Sequence, residues 1–493
     1  MRLRHALMVM PILFAGACLV GPTYRKPSAP VPQGFKEMPK AGTAAGVTWK
    51  AAQPGDAARR AKWWEIFRDP ALNAIEEQVS VSNQTIALAE AQYRGARALV
   101  GGVRSSLFPA VGAGASATRS SGLTTASSAA VTNFEVSVDL GWELDLFGRI
   151  RRSVQAGIAG AQASAADLES VRLAMQAEAA VDYFLLHGVD AEIQLLQETV
   201  AGYQTQYGLT ENRYRQGVAS GIDVAQARTQ LEATRAQATD LGITRAQLEH
   251  ALAVLAGKPP QEFSISAAPT GMAPPEIPVG LPSELLERRP DIAAAERRVA
   301  AANAQIGVAV AGFFPTLSLA GLAGYYGSPL ASLFSLPNRI WSLGASVAET
   351  IFDAGKRRST YRQAQASYDA TVAEYRETVL TALQEVEDNL AALRMLAEEA
   401  QYQAVAVAEA ERTLHLANTR YMNGVTSYLE VVLAQYTALA NERLAVDLLT
   451  RQLTASVNLI KALGGGWRSS DLAAPAPPPS AAHTPAAPPQ PTK

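Results

Sequence analysis

From Phe134 to Leu144 the chain reads Phe-Glu-Val-Ser-Val-Asp-Leu-Gly-Trp-Glu-Leu, with every even position apolar and every odd one polar or glycine. Successive side chains of a strand point to opposite faces, so this period of two predicts a β-strand with one apolar face. Its eleven residues are also the length of a strand that crosses a membrane. The stretch from Trp341 to Ile351 alternates in the same way, with Trp341, Leu343, Ala345, Val347 and Ile351 on one face and Glu349 interrupting it. Partner strands are expected to start near Phe108 and Phe314, where Ala and Gly dominate, and a polar tip runs from Ser120 to Ser128. The pattern predicts two hairpins, or four strands. A small sheet in a soluble domain would alternate similarly and is the competing reading.

A different period governs the rest of the chain. From Lys356 to Asn423 there is no Gly or Pro, and Ala, Leu, Glu, Gln and Arg predominate, all good helix formers. At about 1.5 Å per residue such a helix reaches on the order of 100 Å. Its counterpart, from about Arg151 to Gln216, holds five glycines, which predicts a less regular helix. Each long segment ends at a Gly-containing turn, after which a second helix is expected, over Ile222 to about Leu255 and Tyr428 to about Leu463. Charges spaced at three and four among Ala and Leu suit coiled-coil-like packing.

The plan is written twice. Ile86, Gly101 and Phe108 align with Ile292, Gly307 and Phe314 at a constant shift of 206 residues, and Arg213-Tyr214 aligns with Arg420-Tyr421 at 207. The expected organisation is a leader over 1–17, an N-terminal strap over 18–69, repeats over 70–257 and 286–464, a Pro-rich linker over 258–285 and a tail over 465–493. The end of that tail, from Ala473 to Lys493, is Pro- and Ala-rich without a periodic apolar face, and is expected to be disordered.

Arg2 and Arg4 followed by the short apolar run Ala6 to Ala17 read as a cleaved signal peptide rather than a membrane anchor. Ala15-Gly16-Ala17-Cys18 resembles the lipobox of bacterial lipoproteins, which implies a diacylglycerol and an N-acyl chain on Cys18, the only cysteine. Leu19, where an Asp would favour retention at the inner membrane, implies sorting to the outer membrane. An ordinary signal peptide that contains a cysteine is the alternative. A formal charge of −2 and a pI near 6.3 give no basic footprint, so nucleic acid is not an expected partner. The five histidines show no metal-ligand spacing, no nucleophile elbow or zinc-protease pair occurs, and Gly355-Lys356 lacks the upstream glycine of a phosphate loop. Neither a catalytic residue nor a metal is expected.

Four membrane strands cannot close a barrel, and an open edge in lipid leaves backbone groups unpaired. Closure must come from further copies: eight strands as a dimer, twelve as a trimer. With long helices continuing from the strands, the physical reading is a duct.

Cys18-Leu-Val-Gly-Pro-Thr-Tyr24, Trp63-Trp64-Glu-Ile-Phe-Arg-Asp-Pro70, Arg288-Arg-Pro-Asp-Ile292, Phe314-Pro315 and the two Arg-Tyr-x-x-Gly-Val turns together resemble the outer-membrane factor lipoproteins of tripartite efflux systems, the TolC/OprM-like proteins of the NodT family. The resemblance runs to about Trp467. It implies a mixed α and β membrane protein, a homotrimer with a 12-stranded outer-membrane barrel continued by a periplasmic helical barrel, coupled through a periplasmic adaptor to an inner-membrane pump of RND type. A type I protein-secretion duct and a lipid-tethered coiled-coil scaffold without a pore are the alternatives.

Locally, Pro290 suits a first helical position and Asp291 the positive helix end, so Arg288 to Ile292 reads as structural. Trp63-Trp64 is expected to pack the strap against the helices. Ser220-Gly-Ile-Asp223 and Ser427-Tyr-Leu-Glu430 both read as capping boxes. The resemblance adds that Asp223 and Glu430 match the acidic residues that constrict and gate the periplasmic end, while Leu433 replaces a second acid. These residues fit capping alone and capping with gating equally. The adaptor-docking turns are expected at Tyr214, Gly217, Val218 and Ser220, and at Tyr421, Gly424, Val425 and Ser427, because a Gly-containing turn lets another backbone approach.

Overall fold

A computed structural model of the chain describes residues 19–38, 62–121, 130–268, 273–275, 277 and 284–466. The leader, Cys18, Trp467, most of the hairpin tip after Ser120 and the tail from 467 onward lie outside the described residues.

In chain order the elements are α1 (Pro70–Ser82), α2 (Gln84–Ser105), β1 (Ala110–Ser120), β2 (Val131–Leu144), α3 (Arg149–Arg215), α4 (Gly221–Leu255), the single turn α5 (Leu285–Arg288), α6 (Pro290–Ala311), β3 (Thr316–Gly327), β4 (Arg339–Ala348), α7 (Lys356–Met422) and α8 (Tyr428–Ala462). The duplication is visible in the lengths: α2 and α6 have 22 residues, α3 and α7 have 67, α4 and α8 have 35. The five glycines do not make α3 less regular, contrary to the expectation from composition. It is one continuous helix, packed against α2, α4, α6 and α8, and that packing offsets the low propensity.

The four strands form one antiparallel sheet in the order β1-β2-β3-β4. Its register places Leu140 opposite both Val111 and Gly321, Trp142 opposite Leu319, and Leu343 opposite Gly321. One face is therefore apolar across the sheet except for Arg119 and Arg339 at the end remote from the helices, and the other carries Glu135, Asp139 and Glu143 among Ser116, Ser137, Ser318 and Ser346. The apolar face is uncovered in the single chain: Trp341 is 74%, Leu343 78% and Val347 71% exposed. A soluble domain would bury such a face, so the competing reading of a small soluble sheet fails. The ten residues of β4 run about 33 Å, and tilted by about 40° they rise about 25 Å, the height of the apolar band of an outer-membrane barrel. No helix among the described residues is long and apolar enough to cross a membrane.

β4 ends at Ala348, three residues before the expected Ile351. Glu349 is turned to Arg357 of α7 at 2.7 Å, and Arg357 also holds Asp353 at 2.8 Å, so the chain leaves the sheet to build the entry into α7. The equivalent corner after β2 is built alike: Arg149 grips Glu143 at 2.7 Å, and Asp145 accepts from the Ile150 and Arg151 amides at 3.1 and 2.8 Å.

The strap is bolted down where sheet meets helix. The Val20 amide donates to the Phe147 carbonyl at 3.3 Å, and Arg152 donates to the Val20 and Gly21 carbonyls at 2.9 and 3.1 Å. Gly21, at φ +92°, lies so close to Gly307 that a Cβ would stand 2.5 Å from the Gly307 Cα. Further along, the Lys36 and Glu37 amides donate to the Glu387 carboxylate at 2.7 and 2.9 Å. Trp63, Trp64 and Phe67 are buried in a 3-10 turn, as expected of a packed strap, and the Trp63 indole donates to Gln176 of α3 at 3.3 Å.

Candidate functional site

The two helical turns at the far end from the sheet have the same backbone. Gly217 lies at φ +76° and Gly424 at φ +72°, and Val218 and Val425 each donate back to an arginine carbonyl, Arg213 and Arg420, at 2.9 Å. A Cβ at either glycine would meet nothing within 4 Å. The left-handed conformation, not lack of space, is what requires glycine here.

The side chains of the two turns differ. At the first, the Asp223 amide donates to Ser220 Oγ at 3.2 Å and the Ser220 amide to Asp223 Oδ2 at 3.1 Å, the expected capping box. At the second the expected box is absent: Ser427 caps nothing, and the Glu430 amide instead donates to the Ser427 carbonyl at 3.3 Å. The Glu430 carboxylate reaches outward to Arg420, 3.8 Å away, with both side chains about half exposed. The acid that would have closed the box is drawn to the cation of the preceding helix.

Tyr214, Val218 and Val425 are exposed, and Gly217, Ser220, Gly424 and Ser427 are open beside them. Tyr421 is not: it is buried, with Arg213 4.9 Å above its ring and Tyr428 5.1 Å beside it. Arg213 also donates to the Met422 carbonyl at 3.2 Å, tying the first turn to the second. Tyr421, Tyr428, Val431 and Ala227 form a small core at this tip. Burial pushes the Tyr428 hydroxyl up to about 12, and burial, helped by the charge of Asp223, also raises Tyr421. Sequence reasoning missed Arg213 as the link between the halves, although the repeated Arg-Tyr dipeptide was its signal. Buried polar atoms of Gln206, Arg213, Asn418 and Gln435 lack hydrogen-bond partners among the described residues, and each such group costs about 1–3 kcal/mol.

Arg288 to Ile292 carries no chemistry of its own. Pro290 opens α6, Asp291 accepts from the Ile292 amide at 2.8 Å, and buried Arg289 holds Asp291 and Glu385 at 2.6 Å and the Ala462 carbonyl at 3.0 Å. Among the described residues no cluster of three or more His, Cys, Asp or Glu could hold a metal ion.

A sheet apolar on one face, acidic on the other and open at both edges, continued by two 67-residue helices, defines one protomer of an outer-membrane channel with a long periplasmic extension. The chain belongs to the outer membrane efflux protein family, whose pattern matches residues 77–258 and again 281–465. It is 33% identical over 467 residues to the probable efflux pump outer membrane protein TtgC of Pseudomonas putida, covering 92% of this chain and 93% of the relative. It is 32% identical to the outer membrane protein OprJ of Pseudomonas aeruginosa, covering 92% and 94%. Among solved structures, the outer-membrane channel OprN superposes with a TM-score of 0.83 at 32% identity, over 91% of this chain and all of that one. The open state of the MtrE outer membrane channel of Neisseria gonorrhoeae gives 0.78 at 26% identity, over 92% and 99%. The protein is thus an outer-membrane efflux channel, and the fold class expected from its alternating strands and long helices holds.

Proposed function

We propose that three copies of this chain close a 12-stranded barrel and a helical barrel below it, forming the exit duct of a tripartite efflux pump. The observation that carries this is the uncovered apolar sheet face with unpaired edges at β1 and β4: in lipid those edges are tolerated only when another copy pairs with them. Exposed apolar side chains on the outward side of α7, such as Leu380, Tyr402 and Val405, supply further area for neighbouring copies. An inner-membrane pump of RND type delivers small molecules through a periplasmic adaptor, and the duct conducts them without chemistry. The adaptor docks on the exposed turn residues Tyr214, Gly217, Val218, Ser220, Gly424, Val425 and Ser427, with buried Tyr421 acting only as their support. The domain boundaries given from the sequence describe the working units: strap, two repeats, linker and tail.

The lipid on Cys18 belongs to the same reading. Cys18 itself lies outside the described residues, but Leu19 rests on Gly148 four residues past the end of β2, where an acyl chain reaches the inner leaflet. Cys18→Ser is expected to lose palmitate incorporation while the trimer still conducts; palmitate retained on the variant would refute the anchor.

Asp223 and Glu430 gate the periplasmic tip. Glu430→Gln with Asp223→Asn keeps the groups able to accept hydrogen bonds and removes their charge, so capping is preserved. In planar bilayers this pair is expected to raise the open fraction up to about fivefold, the range set by an exposed ion pair worth no more than about 1 kcal/mol, and to weaken cation selectivity. Unchanged traces would remove both residues from the gate.

A further inference from the structure

The two hairpins, over 110–144 and 316–348, carry five charged residues among those described, and these separate by sign and by face. Glu135, Asp139 and Glu143 all lie on the polar face of β2. Arg119 and Arg339 both lie on the apolar face: Arg119 is in register with Thr132, two residues from Phe134, and Arg339 with Tyr325, which in turn opposes Val136. Arg119 is the penultimate residue of β1 and Arg339 the first of β4, so both stand at the end of the sheet remote from the helices, which is the extracellular end. Both are exposed, and neither forms an ion pair among the described residues.

An arginine on the lipid side of a barrel is costly at mid-depth and tolerated only near the interface. These two stand at the level of the outer-leaflet head groups. The chain between β3 and β4 adds an apolar element at the same level. It folds back onto the lipid side rather than over the lumen: Phe334 packs on Tyr325 with ring centroids 5.4 Å apart, and the Asn338 amide donates to the Ser332 carbonyl at 2.7 Å. Leu330, Phe334 and Leu336 are left 56%, 67% and 77% exposed, at the same end of the sheet as Trp341 of the lipid-facing side. Apolar side chains at an interface, with unpaired guanidinium groups beside them, match an amphiphile with acyl chains and phosphates.

We infer that the extracellular rim, built from Arg119, Arg339 and the Leu330 to Leu336 loop, binds the phosphorylated glycolipid of the outer leaflet, lipid A. This rests on the trimeric barrel reading, because closure brings β4 of one copy beside β1 of the next and places the two arginines along one seam. The guanidinium groups take the phosphates as forked hydrogen-bonded pairs, and the loop lies on the acyl chains.

The test is native mass spectrometry of the full-length protein in detergent, titrated with hexa-acylated bisphosphorylated lipid A. The wild-type trimer is expected to retain lipid A about tenfold more tightly than Arg119→Gln/Arg339→Gln, and Phe334→Ser/Leu336→Ser should lose about threefold. Wild-type protein offered fully dephosphorylated lipid A should bind as weakly as the arginine variant, and millimolar inorganic phosphate should not displace the lipid. Equal retention by wild type and arginine variant, equal binding of the dephosphorylated lipid, or displacement by inorganic phosphate would each overturn the proposal. The same spectra count protein copies: a wild-type protein without a trimer indicts the barrel reading, whereas a trimer indifferent to phosphorylation indicts the lipid site alone. Should the variants fail to assemble, the two lipids compared on the wild type still decide.

Discussion

Helices α3 and α7 occupy equivalent places in the duplication and have the same 67 residues, yet they are held by different means. In α7 the buried positions Tyr375, Val379, Ala382, Val386, Leu390 and Leu393 follow one another at spacings of three and four, the single stripe of a coiled-coil helix with its other faces outward. In α3 burial is spread around the helix, with Ala163, Ala166, Ala179, Ala180, Phe184 and Gly188 among its covered positions and five other helices, α1, α2, α4, α6 and α8, against it. A polar, glycine-free segment needs its own propensity and one buried stripe, laid against α6 and α8. The glycine-bearing segment is regular because its neighbours enclose it. Its five glycines would cost roughly 1 kcal/mol each relative to Ala in an isolated helix, and the packing offsets this.

The enclosure around α3 also traps Glu76 of α1, whose two carboxylate oxygens have no hydrogen-bond partner among the described residues, and burial pushes its carboxyl up to about 9. The folded state therefore holds a proton that the unfolded chain releases near pH 4.5, so stability is full below that pH and is lost as the pH rises toward 9. Glu76→Gln, with the same shape and no charge, is expected to stabilise the protein by on the order of a few kcal/mol near pH 7.5 and to flatten the pH dependence. Unfolding midpoints between pH 5 and 8 measure this; parallel curves for the two proteins would show that Glu76 is not trapped.

Gly188 tests the crowding sterically. A Cβ there would overlap the Thr450 hydroxyl of α8, so Gly188→Ala is expected to cost about 1–3 kcal/mol in spite of the better helix propensity of Ala. Met395, at the equivalent place in α7, is exposed, and Met395→Ala should cost less than about 0.5 kcal/mol. Thermal unfolding of the two variants separates the helices; equal losses would mean that they are packed alike.

A smaller contrast divides the turns that follow these helices. Ser220→Ala removes a formed capping box and should destabilise the start of α4 by about 1 kcal/mol, whereas Ser427→Ala removes no bond and should leave α8 unchanged. Hydrogen exchange of the first-turn amides reads both. Equal acceleration at the two turns would mean that the second box forms after all.

The features readable from the residues were those set by local periodicity. The period of two from Phe134 to Leu144 located β2, the absence of Gly and Pro after Lys356 located α7, and Ser220 with Asp223 announced a cap that the structure contains. What escaped depends on residues far apart in the chain. Ser427 with Glu430 spells the same box, but Arg420 takes the acid. Tyr421 matches exposed Tyr214 in the repeat, but Arg213, about two hundred residues earlier, lies over its ring. The last three residues expected of β4 leave the sheet because Arg357 of α7 collects Glu349 and Asp353. The acidic and basic faces of the sheet also needed the register, since alternation within one strand does not say which residues of the next share its side.

The central claim is that this chain cannot complete its membrane wall alone. Native mass spectrometry of the complex extracted from the outer membrane tests it most directly. The account predicts three protein copies, each carrying the mass of acyl chains on Cys18; a folded, membrane-inserted species of one or two copies would contradict it.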